Sequence, residues 1–149
     1  MSRIIVSDSA CLIGLERIQQ LDLLPGLFDE VFVPPAVAAE FGTPLAWLKV
    51  RAPQDAGFVS AMKLLADDGE AEAIALAKEL GCEVILDDLP ARKLAAKQNV
   101  SVVGLLGLLV RAKNSRRLTE IRPLVEALRR ENFFFSEALV AEALRLARE

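Results

Sequence analysis

Short apolar runs alternate along this chain with longer stretches in which apolar residues recur every three or four positions. The short runs predict buried strands at residues 3–6, 31–33, 83–86 and 100–103, the last as a central strand, with a short edge strand at residues 47–52. A first helix is predicted through Leu12 and Ile18. Further helical stretches are predicted at residues 22–28, 36–41, 57–65, 70–80, 90–98, 105–113, 120–130 and 136–148, the first of these as a turn or short helix.

Turn residues bound these elements in the expected way. Two prolines at positions 34 and 35 suit a helix start, and Gly42 and Gly81 suit helix ends. The alternation of strands and helices over 149 residues predicts a single α/β domain. We expect three layers, α/β/α, around a central and mainly parallel sheet of 4–5 strands with right-handed crossovers.

Acidic residues directly follow two of the predicted strands. Asp8 follows the first strand, and Asp87 and Asp88 follow the strand that ends at Leu86. Ligands of open parallel sheets bind outside the carboxyl ends of the strands, so these carboxylates are candidates for one shared site. Structural roles are also open, because Asp8 is placed to cap the next helix and Asp88 is placed to pair with Arg92.

Two glutamates on predicted helices are further candidates. Helical geometry separates Glu70 from Glu72 by about 200°, which places Glu70 toward the interior and Glu72 toward water. A purely structural role for Glu70 is a favourable interaction with the helix dipole. Glu40 closes a helix of otherwise small and apolar residues, a position that is usually solvent-facing.

These residue types favour a hard divalent cation. Several carboxylates in one cleft of low dielectric repel each other, so such a cluster takes up protons or binds a cation. Mg²⁺ prefers oxygen ligands, and an ion of this kind activates water and compensates phosphate charge. The chain has no histidine and no glycine-rich phosphate loop, which excludes histidine-dependent zinc sites, histidine-containing triads and P-loop or dinucleotide sites.

Charge is distributed unevenly around a net charge of −3. Residues 1–90 hold 6 basic and 15 acidic residues, whereas residues 91–149 hold 12 basic and 6 acidic residues. An acidic site beside a basic surface suits cations together with a polyanion, and solvated Arg-rich helices would give the same counts.

Other features concern the cellular environment. Cys11 and Cys82 lie far apart in apolar stretches, which favours reduced thiols over a disulfide. The first residues lack an export signal, and the longest apolar run, residues 102–110, is too short to span a bilayer. We therefore expect a cytoplasmic protein that does not associate with a membrane.

An ordered set of motifs resembles a known family. The motifs are S-D-S-A-C-L-I-G-L at 7–15, L-D-L-L-P-G-L-F-D-E-V-F-V-P-P-A-V-A-A-E at 21–40, D-G-E-A-E-A-I-A-L-A at 68–77, I-L-D-D-L-P-A-R-K-L-A at 85–95 and G-L-L-G-L-L-V-R-A-K at 104–113. Over essentially the whole chain they resemble PIN-domain proteins, specifically the DUF3368 branch related to VapC-type toxins. The resemblance implies a PIN-like fold and Mg²⁺- or Mn²⁺-dependent RNA cleavage. For many members it also implies a homodimer that acts as the toxin of a toxin–antitoxin pair.

The family's acidic residues can be carried over position by position. They fall on Asp8, Glu40, Glu70 and Asp88, and the neighbouring Asp87 is added as a candidate metal ligand. The chain departs from the family pattern at two places, because Ala10 and Leu86 stand where many members carry Ser or Thr. Glu70 also stands where Asp is common.

The leading hypothesis is an endoribonuclease in which these four acids hold Mg²⁺ or Mn²⁺ and a metal-bound water is the nucleophile. The candidates for substrate contact are one hydroxyl and six basic side chains, namely Ser9, Arg92, Lys93, Arg111, Lys113, Arg116 and Arg117. Each basic residue is equally explained as part of a solvated helix. A non-catalytic partner-binding module with an idle metal site stays open. A phosphoacceptor regulator fits less well, because its paired acids would follow the first strand and a lysine would follow a late strand.

Overall fold

The fold is described from a computed structural model that covers residues 3–149, so the expectation about an export signal at Met1 and Ser2 lies outside the described residues. The strands of the sheet are β1 (Ile4–Ser7), β2 (Glu30–Val33), β3 (Leu48–Val50), β4 (Glu83–Ile85) and β5 (Val102–Val103). The helices of the described residues are α1 (Ser9–Arg17), α2 (Leu23–Leu27), α3 (Pro35–Phe41), α4 (Ala56–Lys63), α5 (Asp68–Leu80), α6 (Leu89–Lys97), α7 (Leu105–Asn114), α8 (Arg122–Arg130) and α9 (Glu137–Leu146).

All neighbouring strands pair in parallel, in the order β3-β2-β1-β4-β5. The chain builds outward from β1 through β2 to β3, crosses back by α4 and α5, and continues outward through β4 to β5. The strand order therefore reverses between β1 and β4. In open parallel sheets this reversal leaves a crevice at the carboxyl ends of the two strands, where ligands bind.

Two apolar cores lie on opposite faces of the sheet. Side chains alternate along each strand, so that Ile5 faces one core and Val6 faces the other. The first core includes residues of α1, α2, α3, α7, α8 and α9, and the second includes residues of α4, α5 and α6. This arrangement confirms the expected three-layer α/β/α architecture with a five-stranded parallel sheet.

One predicted strand differs from expectation in length and position. Residues 100–103 were expected to form a central strand, but β5 has two residues and lies at the edge of the sheet. The reason is topological, because the residues that follow β5 form helices and add no strand outside it. The edge strand expected at residues 47–52 is confirmed as β3.

Two further observations concern the cysteines and the helices. Both thiols are free, with Cys11 buried and Cys82 half-buried, which confirms the expectation of unpaired cysteines. Within residues 3–149, no helix has the length and apolar character needed to cross a membrane.

A candidate metal centre at the carboxyl edge of the sheet

Asp8 lies at the reversal point of the sheet. Its backbone N–H donates to the carbonyl of Ile85 at 3.2 Å, which joins the end of β1 to the end of β4. Its carboxylate accepts the N–H of Cys11 at 2.9 Å as the cap of α1. The residue is only 7% exposed, and burial raises the pKa of Asp8 from 3.8 to about 8, with repulsion from Asp87 and Glu70 adding to the rise.

The adjacent acids Asp87 and Asp88 hold the starts of two different helices. Asp88 accepts the N–H of Ala91 at 3.1 Å and caps α6. Both carboxylate oxygens of Asp87 accept the N–H of Leu105, at 3.0 and 3.3 Å, and so anchor α7. Burial raises the pKa of Asp87, while the Leu105 N–H and the charge of Arg92 oppose the rise.

The guanidinium of Arg92 therefore lies near Asp87. A Cβ added to Gly104 would be 3.0 Å from both a guanidinium nitrogen of Arg92 and a carboxylate oxygen of Asp87. Among the ion pairs of residues 3–149, none joins Arg92 to Asp88. The pairing of Arg92 with Asp88 that helical spacing allowed is thus not formed.

Glu70 lies at the start of α5 in a reciprocal capping box with Asp67. The Asp67 carboxylate accepts the Glu70 N–H at 2.8 Å, and the Glu70 carboxylate accepts the Asp67 N–H at a longer 3.3 Å. Burial, with repulsion from Asp67 and Asp88 adding to its effect, raises the pKa of Glu70 to about 7. Asp67 is not among the predicted site residues, although the D-x-x-E spacing that places it beside Glu70 is visible in the sequence.

Glu40 reaches the same region from the end of α3. Its carboxylate accepts the hydroxyl of Ser9 at 2.7 Å, and Ser9 is the first residue of α1. A Cβ added to Gly69 at the start of α5 would lie 3.9 Å from the other carboxylate oxygen of Glu40. Although Glu40 is exposed as a residue, its carboxylate lies between the first turns of α1 and α5.

The expectation that Glu72 faces water is wrong. Its side chain is 15% exposed, accepts the backbone N–H of Ala36 at 3.1 Å and pairs with Lys63 at 3.4 Å. The reason is that α5 contacts α3, α4 and the sheet, so both flanks of its first turns are covered. Helical geometry correctly separated Glu70 from Glu72 but could not show what covers each flank.

The predicted basic residues fall into two groups. Arg92 and Lys93 lie on α6, whose first residue follows Asp88, so they are near the carboxyl edge. Arg111 lies near the opposite edge, because it makes a bidentate pair with Glu83, the first residue of β4, at 2.7 and 2.6 Å.

The remaining basic candidates lie at or beyond the last turn of α7. Lys113 donates to the carbonyl of Ala147 at 2.8 Å and pairs with Glu149 at 3.2 Å, which ties α7 to the C-terminal helix. Arg116 and Arg117 are exposed and follow α7. Since α7 begins at the carboxyl edge and its ten residues extend about 15 Å, these side chains are not brought to the acidic residues.

The acidic side chains of this region repel one another, and the atoms they offer to a ligand are all oxygens. Asp8 is repelled by Asp87 and Glu70, and Glu70 is repelled by Asp88. Within residues 3–149, no three acids have the arrangement of a metal-binding cluster. The donor set nevertheless fits a hard divalent cation in its chemistry, because all of its side-chain donors are carboxylate oxygens.

Comparison with known proteins gives the family. A family model described as a PIN domain, DUF3368, matches residues 4–149. Among solved structures, a PilT N-terminus domain protein from the hyperthermophilic archaeon Sulfolobus solfataricus is similar at 16% identity and a TM-score of 0.46, over 73% of this chain and 92% of that chain. No curated protein matches the chain. Because the family model spans nearly every residue, this chain belongs to the PIN-domain family, in its DUF3368 branch.

Proposed function

We propose that this protein is a divalent-metal-dependent endoribonuclease. PIN domains are typically nucleases, and membership of the family supports a nuclease activity. The dependence on Mg²⁺ or Mn²⁺ and the choice of RNA as substrate are our proposal. A toxin role, with an antitoxin partner and a homodimer, belongs to the same proposal and rests on the resemblance to VapC-type proteins.

The observation that carries the proposal is the environment of Asp8. A buried carboxylate with a pKa of about 8, repelled by two neighbouring acids at the reversal point of the sheet, is unfavourable as an anion unless a cation compensates it. We assign the role of holding that cation to Asp8, Glu40, Glu70 and Asp88. Asp87 is assigned to anchor α7, because both of its carboxylate oxygens already accept a backbone N–H.

The remaining groups of the cleft would bind the phosphodiester and orient the metal ligands. A bound Mg²⁺ or Mn²⁺ supplies an activated water and compensates the charge on the phosphodiester. The first turns of α1, α5 and α6 face this edge of the sheet, and helix N-termini favour phosphate oxygens. The hydroxyl of Ser9 orients Glu40 through the 2.7 Å bond, while Arg92 and Lys93 add positive charge on the α6 side.

Cap-preserving substitutions test the proposal. Asn caps helices as well as Asp does, so Asp8→Asn and Asp88→Asn remove one charge each while keeping the hydrogen bonds to Cys11 and Ala91. In an RNA cleavage assay with Mn²⁺, each variant is expected to fall below about 1% of wild-type activity, the scale of loss when a group that stabilises transition-state charge is removed.

The matched control is Asp55→Asn. Asp55 caps α4 through the N–H of Phe58 at 3.0 Å, the same kind of bond, but its neighbour in space is the end of α5 rather than the acidic cleft. This variant should cleave RNA at the wild-type rate. Undiminished cleavage by Asp8→Asn or Asp88→Asn would exclude the proposed mechanism.

A non-catalytic partner-binding module is the second candidate. Two observations favour it: no three acids in the described part of the chain are pre-arranged around one point, and the buried Leu86 precedes the acidic pair where a hydroxyl is common in the family. Calorimetric titration with Mn²⁺ separates the candidates. Binding that is lost in Asp8→Asn supports the nuclease, and an absence of binding in the wild-type protein supports the module.

A further inference from the structure

Glu72 contacts residues of two other helices through its carboxylate. One carboxylate oxygen accepts the backbone N–H of Ala36 at 3.1 Å, and the other pairs with Lys63 at 3.4 Å. These contacts join α5, which carries Glu72, to α3 and α4. The Glu72 side chain is 15% exposed, so its carboxylate is largely shielded from water, whereas its partner Lys63 is 37% exposed.

The start of α3 has few other means of satisfying its first backbone donors. Pro34 occupies the cap position and Pro35 the first helical position, and proline has neither a capping side-chain oxygen nor a backbone N–H. Ala36 therefore carries the first free N–H of the helix. A helix N–H without a partner is costly when it is shielded from water, and Glu72 supplies the partner from another helix.

The far end of the same short helix carries Glu40. Between Ala36 and Glu40 lies Val37, which is fully buried. A Cβ added to Gly69 at the start of α5 would lie 3.5 Å from Val37. The side of α3 that bears these residues is thus packed on the N-terminal turn that also bears Glu70. A shift at Ala36 moves Glu40, because α3 is a single seven-residue helix with no hinge between them.

We propose that Glu72 is a positioning residue that caps α3 from α5 and thereby fixes Glu40 relative to Glu70. This inference rests on the proposed function, since it assigns Glu72 to the same metal site. Glu72 contacts no reacting group itself. It acts on the site only through the placement of α3.

Three variants of α5 test the proposal. Glu72→Ala removes the cap of α3, and Glu72→Gln keeps an acceptor for the Ala36 N–H. Glu79→Ala is the matched control, because Glu79 lies on the same helix and accepts two backbone N–H groups, those of Gln54 at 2.7 Å and Asp55 at 2.9 Å, at the end remote from the site.

Two measurements are made on each protein. Calorimetry gives the affinity for Mn²⁺, and amide hydrogen exchange of residues 38–41 in the metal-free protein reports the anchoring of α3. Glu72→Ala should weaken Mn²⁺ binding by about tenfold or more, the range for groups that orient a metal ligand without touching the metal. It should also accelerate exchange in α3, and Glu72→Gln should recover most of both properties. Glu79→Ala should lower the urea midpoint while leaving both readouts at wild-type values.

The outcomes that overturn the proposal are distinct from failure of the function. Unchanged exchange in α3 for Glu72→Ala, or equal weakening of Mn²⁺ binding by Glu72→Ala and Glu79→Ala, would show that Glu72 contributes only general stability. If the wild-type protein bound no Mn²⁺, the metal-dependent function would fail. The exchange measurement would then still decide whether Glu72 holds α3 in place.

Discussion

At the scale of single residues, helix capping and the proposed metal binding use the same acidic side chains. Asp8, Glu70 and Asp88 each take part in a cap at the start of a helix, and each capped helix begins at the carboxyl edge of the sheet. The caps therefore gather the carboxylates in one region. Burial, together with the repulsion that results, raises the pKa values of Asp8 and Glu70.

The raised pKa of Asp8 predicts how stability depends on pH. The folded protein keeps a proton on Asp8 up to about pH 8, whereas the unfolded chain releases it above pH 3.8, so the unfolded state binds fewer protons in between. The free energy of unfolding of the metal-free protein should therefore decline as pH rises from about 4 to about 8. The raised pKa of Glu70 acts in the same direction up to about pH 7.

Asp8→Asn should remove the larger part of this dependence. At pH 8 we expect the metal-free variant to be more stable than the wild-type protein by on the order of a few kcal/mol, because the cap stays and the buried charge is gone. At pH 4 the two proteins should be equally stable. Urea unfolding in EDTA at both pH values measures the difference, and a variant that is less stable than the wild-type protein at pH 8 would contradict it.

At the scale of elements, acidic side chains accept backbone N–H groups at the starts of α1, α5, α6 and α7. The cap position of α7 is Gly104, and the N–H of Leu105 is satisfied from a distance by Asp87. A Cβ at Gly104 would lie 3.0 Å from a carboxylate oxygen of Asp87 and 3.0 Å from a guanidinium nitrogen of Arg92. Crowding by these two side chains, and not the backbone conformation, therefore favours glycine there. Glycine at this position allows α7 to start against the acidic pair.

Gly104→Ala should therefore loosen the junction of α6 and α7. The added methyl group must displace the Asp87 carboxylate or the Arg92 guanidinium, and we expect a loss of about 1–3 kcal/mol of unfolding free energy, as for other overpacked positions. Gly57→Ala is the control, because a Cβ there meets only an ordinary contact of 3.6 Å with Asp55. That variant should be as stable as the wild-type protein or more stable by up to about 1 kcal/mol. Thermal unfolding measures both, and an unperturbed Gly104→Ala would contradict the account.

The strands and helices were largely predictable from the sequence, but the tertiary contacts of individual side chains were not. Apolar periodicity and the turn residues located the parallel strands and the helices because those signals are local. The side on which Glu72 lies was wrongly predicted, since α3 and α4 cover it from distant parts of the sequence. The same limit applies to Arg111, whose partner Glu83 is 28 residues away, and to Asp87, which anchors a helix 18 residues later.

At the scale of the whole molecule, the uneven charge seen in the sequence does not form one basic surface beside the acidic site. Arg111 and Lys113 are neutralised by Glu83 and Glu149. Arg116 lies beyond the end of α7, away from the carboxyl edge, whereas Lys93 lies on α6 close to it. Position relative to the sheet therefore separates Lys93, which lies near the acidic residues, from Arg116, which lies away from them.

This separation predicts which lysine or arginine contacts RNA. In an Asp8→Asn background, Lys93→Glu should weaken RNA binding and reduce the slope of log affinity against log salt by about one, as expected when one phosphate contact is lost. Arg116→Glu, which changes charge equally, should leave the slope unchanged. Fluorescence anisotropy at several salt concentrations measures both slopes, and equal effects of the two variants would contradict the placement of the RNA.

The most direct test of the account is a crystal structure of the wild-type protein grown with Mn²⁺ and examined by anomalous scattering. We predict one or two ions at the carboxyl edge, within about 2.5 Å of carboxylate oxygens from Asp8 and Asp88, with Glu40 and Glu70 bound directly or through water. Saturating Mn²⁺ that leaves this edge empty, or that binds only elsewhere, would contradict the claim that these four acids form a metal centre.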